Sequence, residues 1–156
     1  MLEGFWYIAG ESAAVRVGRP LASVLCNQPL VLFRDGHGRV HALENRCPHK
    51  GVPLSSARQE GDSLRCPFHG WRFISSGECV EVPSLGNVAH PSSASACVKT
   101  FPVEERDGWV WVYIGNDQCP KPSSPPPSLP APADGSPMVS VRESAEANVR
   151  WDFAVD

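Results

Sequence analysis

Two short clusters, Cys47-Pro48-His49 and Cys66-Pro67-Phe68-His69, constrain this chain more than any other feature. Each offers one thiol and one imidazole from a tight loop, so a fold that uses them must bring the two loops to one place. Pro48 and Pro67 fix φ inside each loop. Gly51 and Gly70 follow the histidines and permit the close or left-handed turns that let a backbone curl around a bound group. Two Cys and two His are the donors of an iron–sulfur centre in which two thiolates hold one iron and two imidazoles hold the other. Cys47, His49, Cys66 and His69 are therefore the candidate cofactor and metal ligands. The two thiols belong with the buried iron and the two imidazoles with the outer one, where a ring nitrogen faces solvent. Backbone N–H groups around His49 to Val52 and His69 to Trp71 are the expected donors to the sulfurs.

Zinc accepts the same four donor types in a tetrahedral site, usually written as two Cys followed by two His. Here the order is Cys-His and then Cys-His, which pairs unlike donors on each loop. That order suits two irons with different donor sets, each loop giving its Cys to one and its His to the other. A structural zinc module is the rival reading of these four residues. Colour separates the two, because a zinc protein is colourless and the iron–sulfur protein is red-brown.

The 156 residues suffice for one domain with a core, or one domain and a fragment. Fourteen basic against seventeen acidic residues leave a formal charge of −3, with no polybasic stripe for nucleic acid or anionic lipid. No apolar run is long enough to span a bilayer. Met1 to Gly10 lacks the basic start and apolar stretch of a secretory signal, so a soluble, intracellular protein is expected. In that setting Cys26, Cys79, Cys97 and Cys119 read as free thiols, small buried or incidental residues.

Sixteen prolines and thirteen glycines cut the chain into short segments. Strand chemistry recurs in Phe5–Ala9, Leu30–Arg34, Arg39–Leu43, Ser63–Cys66, Trp71–Ile74, Cys79–Val82, Lys99–Val103 and Gly108–Gly115. Asp35-Gly36-His37-Gly38 and Ser75-Ser76-Gly77 are turn signals, and Trp109–Ile114 reads as a strand buried on both faces. No helix of length is expected before Pro120, so the class is all-β with short antiparallel strands. Composition then shifts. From Asn116 to Pro137 the chain is rich in Pro, Ser and Ala, a stretch that reads as an extended linker. Val139 to Ala145 suits one further strand, and Asn148 to Asp156 starts what reads as a helix.

Asn45-Arg46-Cys47-Pro48-His49-Lys50-Gly51-Val52-Pro53-Leu54-Ser55 and Cys66-Pro67-Phe68-His69-Gly70-Trp71-Arg72-Phe73 resemble the Rieske domain of Rieske non-haem iron oxygenases. Gly4–Tyr7, Pro29–Arg34, and Gly77–Cys79 with Pro83-Ser84 are similar to the same family. The likeness runs over residues 1 to 115, and its wording is nearest to chlorophyllide a oxygenase, pheophorbide a oxygenase and vanillate demethylase-like members. The resemblance implies a Rieske-type antiparallel β-sandwich with a two-loop cluster-binding subdomain, followed by the Pro-rich linker. It divides the chain into a Rieske [2Fe–2S] domain (1–115), a linker (116–138) and the start of a catalytic domain (139–156). It also implies a role as the electron-transfer part of a Rieske-type mono- or dioxygenase. Single electrons would come from a reductase or ferredoxin. They would go to a mononuclear Fe(II) on a catalytic domain or subunit that this chain lacks, so no catalytic residue is assigned within it. An oligomer, and a cytoplasmic or plastid location, follow from the same likeness. The rival from another class is a free-standing Rieske ferredoxin carrier.

Departures from related patterns add to this. Respiratory Rieske proteins carry an extra Cys in each loop, joined as a disulfide; here those places hold Gly51 or Val52 and Phe68. Phe68 offers no hydroxyl to the sulfurs, so the potential should lie toward the low end of the roughly −150 to +300 mV range. Lys50 stands where many relatives have Arg and makes any contact there a point charge. His37, His41 and His90 read as surface or turn residues, and Glu104, Glu105 and Asp107 as a solvated acidic turn. Trp71 reads first as core packing and second as a cover for the cluster or part of a partner surface. Arg46 and Lys50 read equally as solvated loop charges and as steering charges for a partner.

Overall fold

The computed structural model describes residues 4–88, 96–116 and 118–128. Eleven strands and three 3-10 segments make up its regular structure: β1 Phe5–Glu11, β2 Leu21–Leu25, β3 Gln28–Arg34, β4 Val40–Glu44, β5 Arg58–Glu60, β6 Ser63–Arg65, β7 Arg72–Ile74, β8 Cys79–Glu81, β9 Thr100–Phe101, β10 Val103–Arg106 and β11 Trp109–Ile114. They form three antiparallel sheets, ordered β1-β11-β10, β2-β3-β4-β9 and β5-β6-β7-β8. The all-β class expected from the Pro and Gly punctuation is what the described residues adopt.

Strand β3 organises the interior. Because successive side chains alternate between faces, Leu30 and Leu32 enter one core while Val31 and Phe33 enter another. The first core is shared with Val40, Ala42, Phe101, Val110, Val112 and Ile114, which packs the β2-β3-β4-β9 sheet against the β1-β11-β10 sheet. The second is shared with Leu43, Leu54, Leu64, Phe73, Cys79 and Val98, and it seats the β5-β6-β7-β8 sheet. Phe33 and Phe73 are fully buried there, each contributing about 1.5–3 kcal/mol of apolar transfer. The cysteines of both clusters belong to this second core.

Several expected boundaries moved for local reasons. Lys99–Val103 is two strands, because Pro102 has no N–H to continue a ladder. Phe101 pairs with β4 and Val103 with β11, so the chain changes sheets at the proline. Strand β2 was not expected; it joins β3 through Cys26 and Asn27, both at positive φ (50° and 59°), the two-residue turn that suits strand twist. Strand β5 was not expected either, since Arg58-Gln59-Glu60 is polar throughout and owes its form to pairing with β6. The expected strand at 139–145, the expected helix start at 148–156, and His90 lie outside the described residues.

Candidate metal centre

Both cysteine–histidine clusters occupy loops that leave strands of the second core, and the two loops are near copies. In the first, the Cys47 N–H donates to the Val52 carbonyl and the Gly51 N–H to the Cys47 carbonyl, each at 2.8 Å. In the second, the Cys66 N–H donates to the Trp71 carbonyl at 2.8 Å and the Gly70 N–H to the Cys66 carbonyl at 3.1 Å. Gly51 and Gly70 close the loops at φ of 72° and 73°, left-handed values that few other residues adopt. Each loop thus turns its Cys inward and its His outward by the same hydrogen-bonded device.

Cys47 and Cys66 are 2% and 3% exposed, whereas His49 and His69 lie at the surface. The imidazole rings sit 4.6 Å apart between centroids. Burial is the main cause that pushes the Cys47 thiol well above its ordinary pKa, and the neighbouring Cys66 thiol adds to it. The backbone N–H groups of His49 and Lys50 face the Cys47 sulfur and oppose that rise. His49 is held below its ordinary pKa by desolvation, with the nearby His69 and Lys50 acting in the same direction. It is therefore disposed to be a neutral imidazole, the form that binds metal.

The four side chains fall in two pairs, thiol beside thiol and imidazole beside imidazole. Among the described residues, no three His, Cys, Asp or Glu side chains gather as the shell of one ion. A tetrahedral zinc site needs four donors around one point. A two-iron cluster needs two donors at each end, and the pairing fits that donor set.

Neighbouring residues brace the loops. The Ser55 N–H donates to Asn45 Oδ1 at 2.7 Å and Asn45 Nδ2 donates to Ser55 Oγ at 3.0 Å, tying the ends of the first loop. The second is held by Arg65, whose Nη1 donates to the Gly70 carbonyl at 2.8 Å. The same guanidinium donates to both Glu81 carboxylate oxygens at 2.9 Å and to Glu60 at 2.8 Å. Arg65 and Arg72 stand directly opposite each other, a repulsive register offset by Glu81, which accepts from both. Glu81 is consequently held down to about 2, with the Arg65 hydrogen bonds the largest cause. None of these four charges stood out in the sequence. Their only signal is that Glu60, Arg65, Arg72 and Glu81 fall on one face, which requires the register to be known.

Trp71 has the core packing expected of it and one further contact. Its indole packs against the second core and also stacks on the His49 ring at 4.8 Å with 6° between planes. Phe68, 60% exposed, lies beside His69 at 4.0 Å between ring centroids. Arg46 and Lys50 are exposed. Two expectations need correcting. His41 is no idle surface residue: its Nε2 lies 2.9 Å from the buried Asp35 carboxylate. That carboxylate also accepts from the backbone N–H groups of His37 and Arg39 and from Arg39 Nε. Glu105 is likewise engaged, by Arg34 at 2.7 Å and by Ser12. No disulfide joins the described cysteines; Cys79 is buried and Cys97 and Cys119 are exposed.

The Rieske [2Fe-2S] domain family matches residues 5–102. The chain belongs to that family. A [2Fe–2S] cluster is accordingly its cofactor, and its relatives include oxygenase components. The toluene-4-sulfonate monooxygenase system iron-sulfur subunit TsaM1 of Comamonas testosteroni is 41% identical over 111 residues, covering 71% of this chain and 31% of that protein. The 4beta-methylsterol monooxygenase of Methylococcus capsulatus is 31% identical over 153 residues, covering 98% of this chain and 38% of that protein. Chlorophyllide a oxygenase of Chlamydomonas reinhardtii is 34% identical over 115 residues, covering 74% and 17% respectively. A crystal structure of dicamba monooxygenase bound to dicamba superposes with a TM-score of 0.72 at 36% identity, over 81% of this chain and 37% of that one. The chain thus spans well under half the length of these relatives. No helix among the described residues is long and apolar enough to cross a membrane.

Proposed function

We propose that Cys47 and Cys66 hold the inner iron of the cluster and His49 and His69 the outer one. The unit then relays single electrons from a reductase or ferredoxin, by way of the outer imidazoles, to a mononuclear non-haem iron on a catalytic domain or partner subunit. The observation that carries this reading is the sorting of the donors, with both thiols in the core and both imidazoles at the surface 4.6 Å apart. When bound, the cluster supplies one-electron chemistry at a potential raised by the neutral imidazoles. The chain's own residues do the rest. The His49 and Lys50 N–H groups stabilise negative charge on the Cys47 sulfur. Trp71 fixes the plane of His49, and Arg65 holds the backbone after His69.

The oxygenase role draws support from relatives whose names denote oxygenase components. A division into Rieske domain (1–115), linker (116–138) and start of a catalytic domain (139–156) draws support from the alignment with the methylsterol enzyme, which runs over 98% of this chain. On this reading the protein works in an oligomer in the cytoplasm or a plastid, with its substrate site outside these residues.

The test is direct. Purified anaerobically, the chain should carry iron and sulfide in equal amounts and give a rhombic EPR signal with low average g. His69→Cys should keep iron but lower the potential, because a charged thiolate replaces a neutral ring. Zinc without iron would refute the ligand assignment. A midpoint potential above roughly +200 mV would refute the oxygenase-type reading, and substrate turnover by this chain alone with a reductase would refute the missing iron site.

A further inference from the structure

We propose that Asn116 and residues 118–128 form a docked strap rather than a free tether, and that the outer face of the β1-β11-β10 sheet is a surface built to hold this proline-rich stretch. The register puts Trp6 beside Tyr113, Trp111 between Ile8 and Glu104, and Trp109 beside Arg106. Directly paired residues share a face, so this face carries three indoles, a phenol and a guanidinium. The opposite face gives Val110, Val112 and Ile114 to the core.

An extended proline-rich segment offers what such a face can recognise. It has few N–H groups to satisfy and a row of free carbonyls, and its rings pack against aromatic side chains. The contacts follow that chemistry. Trp6 Nε1 donates to the Ser124 carbonyl at 2.7 Å, Arg106 Nη1 to the Pro126 carbonyl at 2.6 Å, and the Tyr113 hydroxyl to the Cys119 carbonyl at 3.1 Å. Pro126 is buried. The segment therefore passes from the β1 edge to the β10 edge, with Trp111 between them. The Trp111 indole N–H is itself shielded from solvent and has no hydrogen-bond partner among the described residues.

The start of the strap is fixed as firmly. Asn116 Oδ1 accepts from the Gln118 and Cys119 N–H groups at 3.0 and 2.7 Å, and the Asn116 N–H donates to the Cys119 carbonyl at 3.2 Å. That turn folds back so closely over Gly115 that a Cβ there would lie 2.7 Å from the Cys119 carbonyl oxygen. The strap sets the line along which the chain leaves the Rieske unit, at the β10 edge.

Backbone ¹⁵N relaxation of the whole chain tests this. The amides of Cys119, Lys121, Ser123 and Ser124 should show heteronuclear NOEs equal to those of β11, and the Trp6 indole N–H should exchange slowly. Trp6→Phe keeps an aromatic ring but removes the donor, and Arg106→Met keeps the stem but removes the guanidinium. Together they should lower the NOEs of 121–124 to the level of an untethered chain while the cluster's visible and EPR spectra stay unchanged. Low NOEs in the wild type would overturn the proposal without any variant. High NOEs retained in the double variant would overturn the assignment of Trp6 and Arg106 as its holders. The cluster spectra report separately on the ligand assignment, so failure of either reading is distinguishable.

Discussion

The two ligand loops share a backbone plan but not their surroundings, and a pair of alanine substitutions separates the two contributions. Gly51 and Gly70 sit at φ of 72° and 73°, where an L-residue costs about 1–2 kcal/mol. A Cβ at Gly51 would meet only Arg46, with Nε at 3.5 Å and Nη2 at 3.8 Å. That is ordinary contact with the end of a flexible, exposed side chain, so Gly51→Ala should cost the conformational penalty alone. A Cβ at Gly70 would lie 3.0 Å from Pro83 Cγ. That ring is rigid, and Arg65 on the other side is pinned by Glu81, so overpacking adds about 1–3 kcal/mol. Gly70→Ala should therefore destabilise by about 2–5 kcal/mol, against about 1–2 for Gly51→Ala. Unfolding releases the cluster and is not a reversible two-state process, so the measurement is the rate of visible bleaching in fixed urea, anaerobically. Since 1–2 kcal/mol corresponds to a factor of about 5–30, Gly70→Ala should bleach at least about fivefold faster than Gly51→Ala. Pro83→Ala added to Gly70→Ala should bring the rate back toward that of Gly51→Ala. Equal rates for the two single variants, or no recovery in the double variant, would refute the argument that Pro83 makes the loops unequal.

The brace on the second loop carries a pH signature. Glu81 is held at about 2 in the fold, below its ordinary 4.5. A carboxyl depressed by folding adds stability that is complete above its unfolded pKa and is lost as pH falls toward the folded one. Resistance to unfolding should thus decline between about pH 4.5 and 2, and Glu81→Gln should flatten that slope. Asp35 is depressed by the same logic, chiefly through His41, so Asp35→Asn should lower the melting temperature and remove a second part of the acid dependence. Arg65→Lys should rescue Arg65→Ala only partly, because an ammonium lacks the fork that spans Glu60, Glu81 and the Gly70 carbonyl. Trp71→Leu should change the EPR line shape through the loss of the stack on His49, at a cost of about 0.5–1.5 kcal/mol beyond area, while Trp71→Phe should change it less; identical spectra in both variants would show that the stack does not orient the imidazole.

What was readable in the sequence, and what was not, divides along the range of the interaction concerned. The two cysteine–histidine loops were readable because their geometry is local: proline φ and the glycine after each histidine lie within a few residues of the turn they make. Strands such as Leu30–Arg34 and Trp109–Ile114 were readable because burial on both faces leaves an apolar run. Strand β5 was not, since three polar residues become a strand only when β6 supplies their partners. The Glu105–Arg34 ion pair and the hydrogen bond between His41 and Asp35 were missed for a related reason. A charged residue in a turn is solvated unless the fold brings a donor to it, and Arg34 comes from the far end of β3.

The first part of the proline-rich stretch makes the same point most sharply. Its composition forbids a central strand or a helix, and that inference stands for the described residues 118–128, which have no regular secondary structure. Composition alone then suggests a free linker, because nothing in a run of prolines and serines says what it touches. The decision lies instead in Trp6, Arg106 and Tyr113, whose side chains alternate outward from strands that otherwise serve the core. Outward-facing indoles are costly to leave in water, and a chain segment that covers them while accepting the Trp6 N–H recovers apolar burial and one hydrogen bond. The aromatic alternation in β1 and β11 that marks two buried faces is therefore also the signal that something must lie on the outer one.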